Sequence, residues 1–196
     1  MQYALLGDIH SSLLDLHAVL DHISREAPDA KLIGTGDLYE CTVSKKHLTG
    51  QIYPSVEDVI RHPDRLDDLL TFPSIYGNQE ERILLLTEQA ESLREKLQSL
   101  PETLEAGKGV VIHGHQWKPD EKSDWLKNNL PAETLVFHGH THRSGYMQNG
   151  VEKEISFGAD ILLSGDEQIV NVGAVVGARE WVLYDENKNS IRFMKA

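Results

Sequence analysis

Five short pieces of this chain pair glycine with metal-donor residues, in the order Gly7-Asp8-Ile9-His10, Gly36-Asp37, Gly77-Asn78, His113-Gly114-His115 and Gly139-His140-Thr141-His142. Each follows an apolar run: Tyr3 to Leu6, Leu32 and Ile33, Ile75 and Tyr76, Val110 to Ile112, and Leu135 to Phe137. Oxygen and imidazole donors therefore recur where buried strands are expected to end. A packed sheet can hold together ligands that would otherwise repel one another, so the pattern predicts a metal centre assembled from distant parts of the chain.

The first forty residues read as a strand at about 2–7, a helix at about 12–26 and a strand at about 31–35. Leu13, Leu16, Leu20 and Ile23 recur at helical spacing with Asp15, Asp21 and Arg25 between them, and Pro28 marks the exit. A parallel sheet covered by helices follows. Residues 38–73 read as a mobile, partly helical connection broken by Pro54, Pro63 and Pro73. A single long helix is expected over about 79–99, ended by Pro101. Strands are then expected at 109–113, 134–138, 154–157, 160–163, 168–172 and 180–184, with a last hairpin turning at Asp185 to Asn189. Helix-alternating strands followed by mostly β structure predict an α/β fold of two mixed β-sheets packed as a sandwich, with helices outside.

With 196 residues, 40% of them hydrophobic, the chain can bury one core and reads as a single domain over 1–196. A formal charge of -12 argues against a nucleic-acid groove, which depends on clustered Lys and Arg. Cys41, alone, excludes an internal disulfide framework, and no apolar stretch has the length of a membrane span. A cytoplasmic protein is expected, with a homo-oligomer left open.

In Asp8-x-His10 and His140-x-His142 the donors are one residue apart, which in extended backbone turns both to the same side. Asp37 and Asn78 each follow a glycine, which permits a sharp turn and close approach of backbone to an ion. The set mixes imidazole and oxygen without thiolate, which favours Mn, Fe, Ni or Zn over a cysteine-held structural zinc. Asp37, in mid-series, is the expected bridge between two ions. Taken singly, an Asp-x-His or a His-Gly-His is more often a turn or a capped element. Five ordered pieces, with half of the ten histidines at 113, 115, 138, 140 and 142, outweigh that reading.

This series resembles the calcineurin-like metallophosphoesterase family, whose motifs are Asp-x-His, Gly-Asp, Gly-Asn-His, a lone His and Gly-His-x-His. The opening Gly-Asp-Ile-His-Ser, the His113-Gly-His form and Asn171-Val-Gly look most like its small prokaryotic phosphodiesterase branch. The resemblance implies a four-layer α/β/β/α fold and two divalent ions, Mn2+ first, with Ni, Fe, Zn or Mg as alternatives. It implies that Asp8, His10, Asp37 and His142 bind one ion, and that Asp37, Asn78, His113 and His140 bind the other. A hydroxide bridging the ions would attack the phosphorus of a small phosphate diester.

Two departures matter. Where the family usually has Gly-Asn-His, this chain has Gly77-Asn78-Gln79, and an amide can hydrogen-bond a phosphate oxygen but cannot protonate a leaving group. Activated esters should therefore be preferred. Asp37 is followed by Leu38-Tyr39-Glu40 and not by the Arg-Gly of the protein-phosphatase branch, which removes that clamp on a terminal phosphate. Asn78, Gln79 and His115 are the candidate catalytic contacts, His115 as a residue orienting water or substrate. His138 is expected to be structural, and Trp117 and Trp125 to pack in the core or anchor a loop. The rival reading is a non-catalytic scaffold of the same fold that binds other proteins.

Overall fold

The computed structural model describes residues 1–47, 50–118, 120–131, 134–165 and 167–196. The chain opens with β1 (Gln2–Leu6), α1 (Leu13–Glu26) and β2 (Lys31–Gly34), a β-α-β unit whose strands pair in parallel from Tyr3 opposite Lys31 to Leu6 opposite Gly34. Helix α1 forms where the spacing of apolar residues predicts it. Leu16, Val19 and Ile23 are buried, Leu13 and Leu20 pack at the margin, and Asp15 sits in the first turn, where the helix dipole favours an acid.

Next come the short strands β3 (Glu40–Cys41) and β4 (Ile60–Arg61), then α2 (Leu66–Leu69), α3 (Asn78–Leu86) and α4 (Ser92–Ser99). The 38–73 segment, expected to be a mobile connection, is instead tied down by β3 pairing with β4 and by burial of Tyr39, Val56, Val59 and Leu66. The single helix expected over 79–99 is two. Its break follows from a non-local contact: Tyr53 bridges Thr87 and donates its backbone N–H to Leu86 O at 2.8 Å, which leaves Thr87 extended.

The remaining elements are β5 (Thr103–Ala106), β6 (Gly109–Ile112), α5 (Lys122–Asn129), β7 (Leu135–His138), β8 (Gly145–Gln148), β9 (Val151–Lys153), β10 (Asp160–Leu162), β11 (Gln168–Asn171), β12 (Glu180–Asp185) and β13 (Ser190–Lys195). The strand expected at 154–157 is loop and turn. The strand lies earlier because Asn149-Gly150, both at positive φ, makes a tight hairpin turn between β8 and β9.

One sheet runs β10-β13-β12-β1-β2 and the other β5-β6-β7-β11-β8-β9. Their facing sides form one core. Tyr3, Leu5, Val182, Tyr184 and Phe193 of the first sheet meet Val111, Phe137, Tyr146 and Val170 of the second. Alternation along each strand sends the neighbours outward: Ala4, Leu6 and Leu183 toward α1 to α4, and Ile112, Val136 and Ile169 toward Leu126 of α5. The result is the four-layer α/β/β/α sandwich expected from the sequence. Among the described residues no helix is long and apolar enough to cross a membrane.

Candidate metal centre

Strands β1 and β2 in one sheet, and β6 and β7 in the other, end at a common edge, and the donors stand on the loops just beyond. The loops are sewn to one another through backbone: Asp8 N donates to Gly36 O at 3.0 Å, His10 N to Asp37 O at 3.0 Å, and Gly139 N to His113 O at 3.0 Å. Asp8, His10, Asp37, His140 and His142 all have positive φ, between 47° and 71°. Their projection toward one point therefore comes from left-handed turns and not from the extended backbone that the i, i+2 spacing suggests. The reason is that each strand ends one or more residues before its donors. Two glycines are needed close by: a Cβ on Gly36, at φ +91°, would lie 2.8 Å from His113 Nδ1, and one on Gly77 would collide with the Asp37 carboxylate.

Two adjoining groups result, Asp8 with His10 and His142, and Asp37 with His113 and His140. In the first, His10 Nε2 lies 3.0 Å from His142 Nε2 and 4.0 Å from Asp8 Oδ1, and His142 Nε2 lies 3.6 Å from that same oxygen. In the second, His113 Nε2 is 3.3 Å from Asp37 Oδ2 and 3.3 Å from Asn78 Oδ1, which brings Asn78 to the group. Asp37 Oδ2 is also 3.5 Å from His10 Nε2, so this oxygen stands between the groups.

The electrostatics show what the groups lack. Asp8 is fully buried; burial, with Asp37 beside it, pushes its carboxyl up to about 7, against the pull of His113 and His10. Its Oδ2 accepts from His140 N at 2.8 Å, while Oδ1, facing His10 and His142, is buried without a hydrogen-bond partner among the described residues. Burial works to lower His113, yet the Asp37 and Asp8 carboxylates hold it up at about 9. An orphaned carboxylate oxygen and a histidine cation serving as counter-charge mark a place for cations. Donor spacings of 3 to 4 Å also suit one ion bonded at about 2.0–2.2 Å to each donor.

Neighbouring side chains aim the donors. His113 Nδ1 bonds Thr35 O at 2.7 Å and His10 Nδ1 bonds Glu40, which leaves both Nε2 atoms turned inward. Glu80, fully buried, accepts from the backbone N–H groups of Asp37, Tyr39 and Gly77 at 3.0, 3.0 and 2.7 Å, and Asn171 Nδ2 donates to Thr141 Oγ1 at 2.6 Å. Glu40, Glu80 and the Asn171 contact escape sequence reasoning. The signals were the Glu three residues after Asp37 and the Glu right after Gly77-Asn78-Gln79.

His115 borders the second group, its ring 5.3 Å from that of His113 and 6.4 Å from that of His140. Burial, then the charges of His113 and His140, lower it to about 4, and its Nδ1 has no partner among the described residues. Gln79 is buried at the start of α3, where its Oε1 accepts from Cys41 N at 3.0 Å and from Arg82, and its own N–H donates to Asp37 Oδ1 at 2.8 Å. His138 is buried and lowered to about 3, chiefly by burial, with Nδ1 at 3.0 Å from Gly139 O.

A two-sheet sandwich thus carries two adjoining groups of imidazole and oxygen donors at one edge. The calcineurin-like phosphoesterase superfamily domain matches residues 1–184, and the chain belongs to that superfamily, which implies divalent metals. Among solved structures, a metallophosphoesterase from Sphaerobacter thermophilus aligns with a TM-score of 0.71 at 20% identity, over 100% of this chain and 88% of the other. An archaeal phosphodiesterase aligns with a TM-score of 0.54 at 17% identity, over 100% of both. At these identities the likeness is one of fold. No curated protein matches the sequence.

Proposed function

We propose that this protein is a binuclear-metal phosphodiesterase hydrolysing small phosphate diesters, with Mn2+ as the working metal. The observation that carries the reading is Asp37 Oδ2, placed between the two donor groups at 3.5 Å from His10 Nε2 and 3.3 Å from His113 Nε2. Asp8, His10, Asp37 and His142 would hold one ion and Asp37, Asn78, His113 and His140 the other. Divalent ions held there supply Lewis-acid polarisation of phosphoryl oxygens and a nucleophile drawn from water at neutral pH.

The chain's own residues do the rest. Glu40 and Thr35 O fix the two imidazoles, and Glu80 fixes the loop that presents Asp37, so the donors need no rearrangement during turnover. His115, neutral around pH 7 and with an Nδ1 that has no partner among the described residues, contacts the substrate. Gln79 offers only an amide, so the departing oxygen leaves without a proton from that position. Among the described residues no arginine bonds to either donor group, which favours a diester monoanion over a terminal phosphate dianion. The protein would work in the cytoplasm.

The test is hydrolysis of bis(p-nitrophenyl) phosphate with Mn2+, alongside metal analysis. Two ions per chain are expected, with kcat/KM reduced by about 10²-fold or more in Asp37→Ala and His113→Ala. Equal rates in all three proteins would overturn the reading. Fewer than two ions and inertness toward every phosphoester tried would favour the non-catalytic scaffold that Gln79 leaves open.

A further inference from the structure

Beyond His140 the edge of the site opens into a cavity of about 580 Å³, the size of a small-molecule pocket. Trp117, Met147 and Ile169 give it an apolar floor, and Trp117 is held firm between Trp125 and His138, with ring centroids 5.2 and 5.5 Å away. Much of its polar lining is already engaged. Asn171 bonds Thr141 and Gly173 N, and Tyr146 OH donates to Gln168 Oε1 at 3.0 Å. Lys122 and Arg143 are different: neither cation makes a hydrogen bond or ion pair among the described residues. Lys122 is moreover partly buried, and burial pushes its ammonium down despite the fields of Glu152 and Glu167. An ammonium kept from water without a partner is costly unless an anion joins it. Glu152 in the lining and Glu167, whose field reaches Lys122, balance the two cations in number, yet among the described residues neither carboxylate is bonded to Lys122 or Arg143.

We propose that this cavity receives the organic arm of the phosphodiester and that Lys122 and Arg143 hold a second phosphate carried on that arm. The inference rests on the phosphodiesterase reading above and narrows its substrate to diesters with an apolar or planar arm bearing another phosphate. Guanidinium suits such a group because it can bond two of its oxygens at once.

A matched pair of substrates tests it: thymidine 5′-(p-nitrophenyl phosphate) and the same compound phosphorylated at the 3′ oxygen, each releasing p-nitrophenolate on hydrolysis. The full chain with Mn2+ is expected to prefer the second by about tenfold in kcat/KM, and Lys122→Met or Arg143→Met to erase most of that ratio. A ratio near one in the wild type, or a ratio unchanged in both variants, would overturn the proposal. Calorimetric binding of thymidine 3′,5′-bisphosphate against thymidine 5′-monophosphate separates the two levels of inference. If no phosphoester is hydrolysed, the phosphodiesterase reading falls. Tighter binding of the bisphosphate, lost in the variants, would still establish the pocket, and equal binding of the two would remove it.

Discussion

Glu80 belongs to neither donor group, yet three backbone N–H groups from two loops of the site end on its buried carboxylate. A buried donor left without an acceptor costs about 1–3 kcal/mol. Glu80→Ala orphans three at once, so a loss of about 3 kcal/mol or more is expected in urea unfolding, with weaker metal binding because the Asp37 loop is released. Glu80→Gln keeps the shape but only one acceptor oxygen, which can still receive the Asp37 and Gly77 N–H groups while its NH2 opposes the N–H of Tyr39, so a smaller loss than that of Ala is expected. Gln79, its neighbour, carries a prediction about rate. With an amide where the family usually has an acid, turnover should depend steeply on the leaving group. Diesters of phenol should be slower than those of p-nitrophenol by about 10²-fold or more, the scale of missing general-acid help. Similar rates on both would show that another residue supplies the proton.

Among the elements, α2 and α4 are joined by charge. Asp67 accepts from Tyr39 OH, from Lys96 Nζ at 2.9 Å and from His62 Nε2 at 2.9 Å, while His62 Nδ1 meets Glu57 at 2.9 Å. Burial works to raise Asp67, but these donors outweigh it and bring the carboxyl from 3.8 to about 2; burial likewise works to lower His62, and the two carboxylates raise it above 6.5. A depressed acid stabilises the fold above its ordinary pKa and loses that contribution as pH falls toward 2. A raised histidine stabilises it below 6.5 and loses that contribution as pH rises through its folded value. The network should therefore be strongest between about pH 4 and 6.5. Both side chains are partly exposed, so about 1 kcal/mol in all is expected. Asp67→Asn should lower stability more at pH 5 than at pH 8 in parallel urea titrations, and an equal loss at both would show that His62 contributes nothing.

This network also marks where legibility ended. Strands β1, β2, β6, β7 and β11 could be read because each is a compact apolar run, and the donors could be read because they follow those runs. What was not legible depends on contacts distant in sequence. Nothing local to Thr87 announces that Tyr53 will pair with it and split a helix. Nor do Asp8 or His142 carry a propensity for the left-handed turns that aim them; those turns hold because backbone bonds from other loops hold them. Helix α5, Lys-Ser-Asp-Trp-Leu-Lys-Asn-Asn, buries chiefly Leu126 and so shows little apolar periodicity. It supplies Lys122, which is why the cavity beside His140 could not be foreseen.

At the scale of the whole molecule, each donor group draws on both sheets. Asp8 and His10 follow β1 in the first sheet while His142 follows β7 in the second; Asp37 follows β2 in the first while His113 and His140 follow β6 and β7. Each ion would thus pin one sheet to the other at the edge of the sandwich, where no interleaved Phe137 or Phe193 does so. A metal bound only by the folded state stabilises it by about 2.7 kcal/mol at a hundred times its dissociation constant. For a chain of this size each kcal/mol shifts Tm by about 2–4 °C, so two ions at that concentration should raise Tm by about 10–20 °C over protein stripped with chelator. Asp8→Ala and His142→Ala remove donors from opposite sheets but from the same ion, and each should lose about half of the rise. Combining them should cost little more than either alone, since one ion is lost in every case. A Tm indifferent to Mn2+ would mean that the two sheets are held together by their core alone, and additive losses would mean that Asp8 and His142 do not serve the same ion.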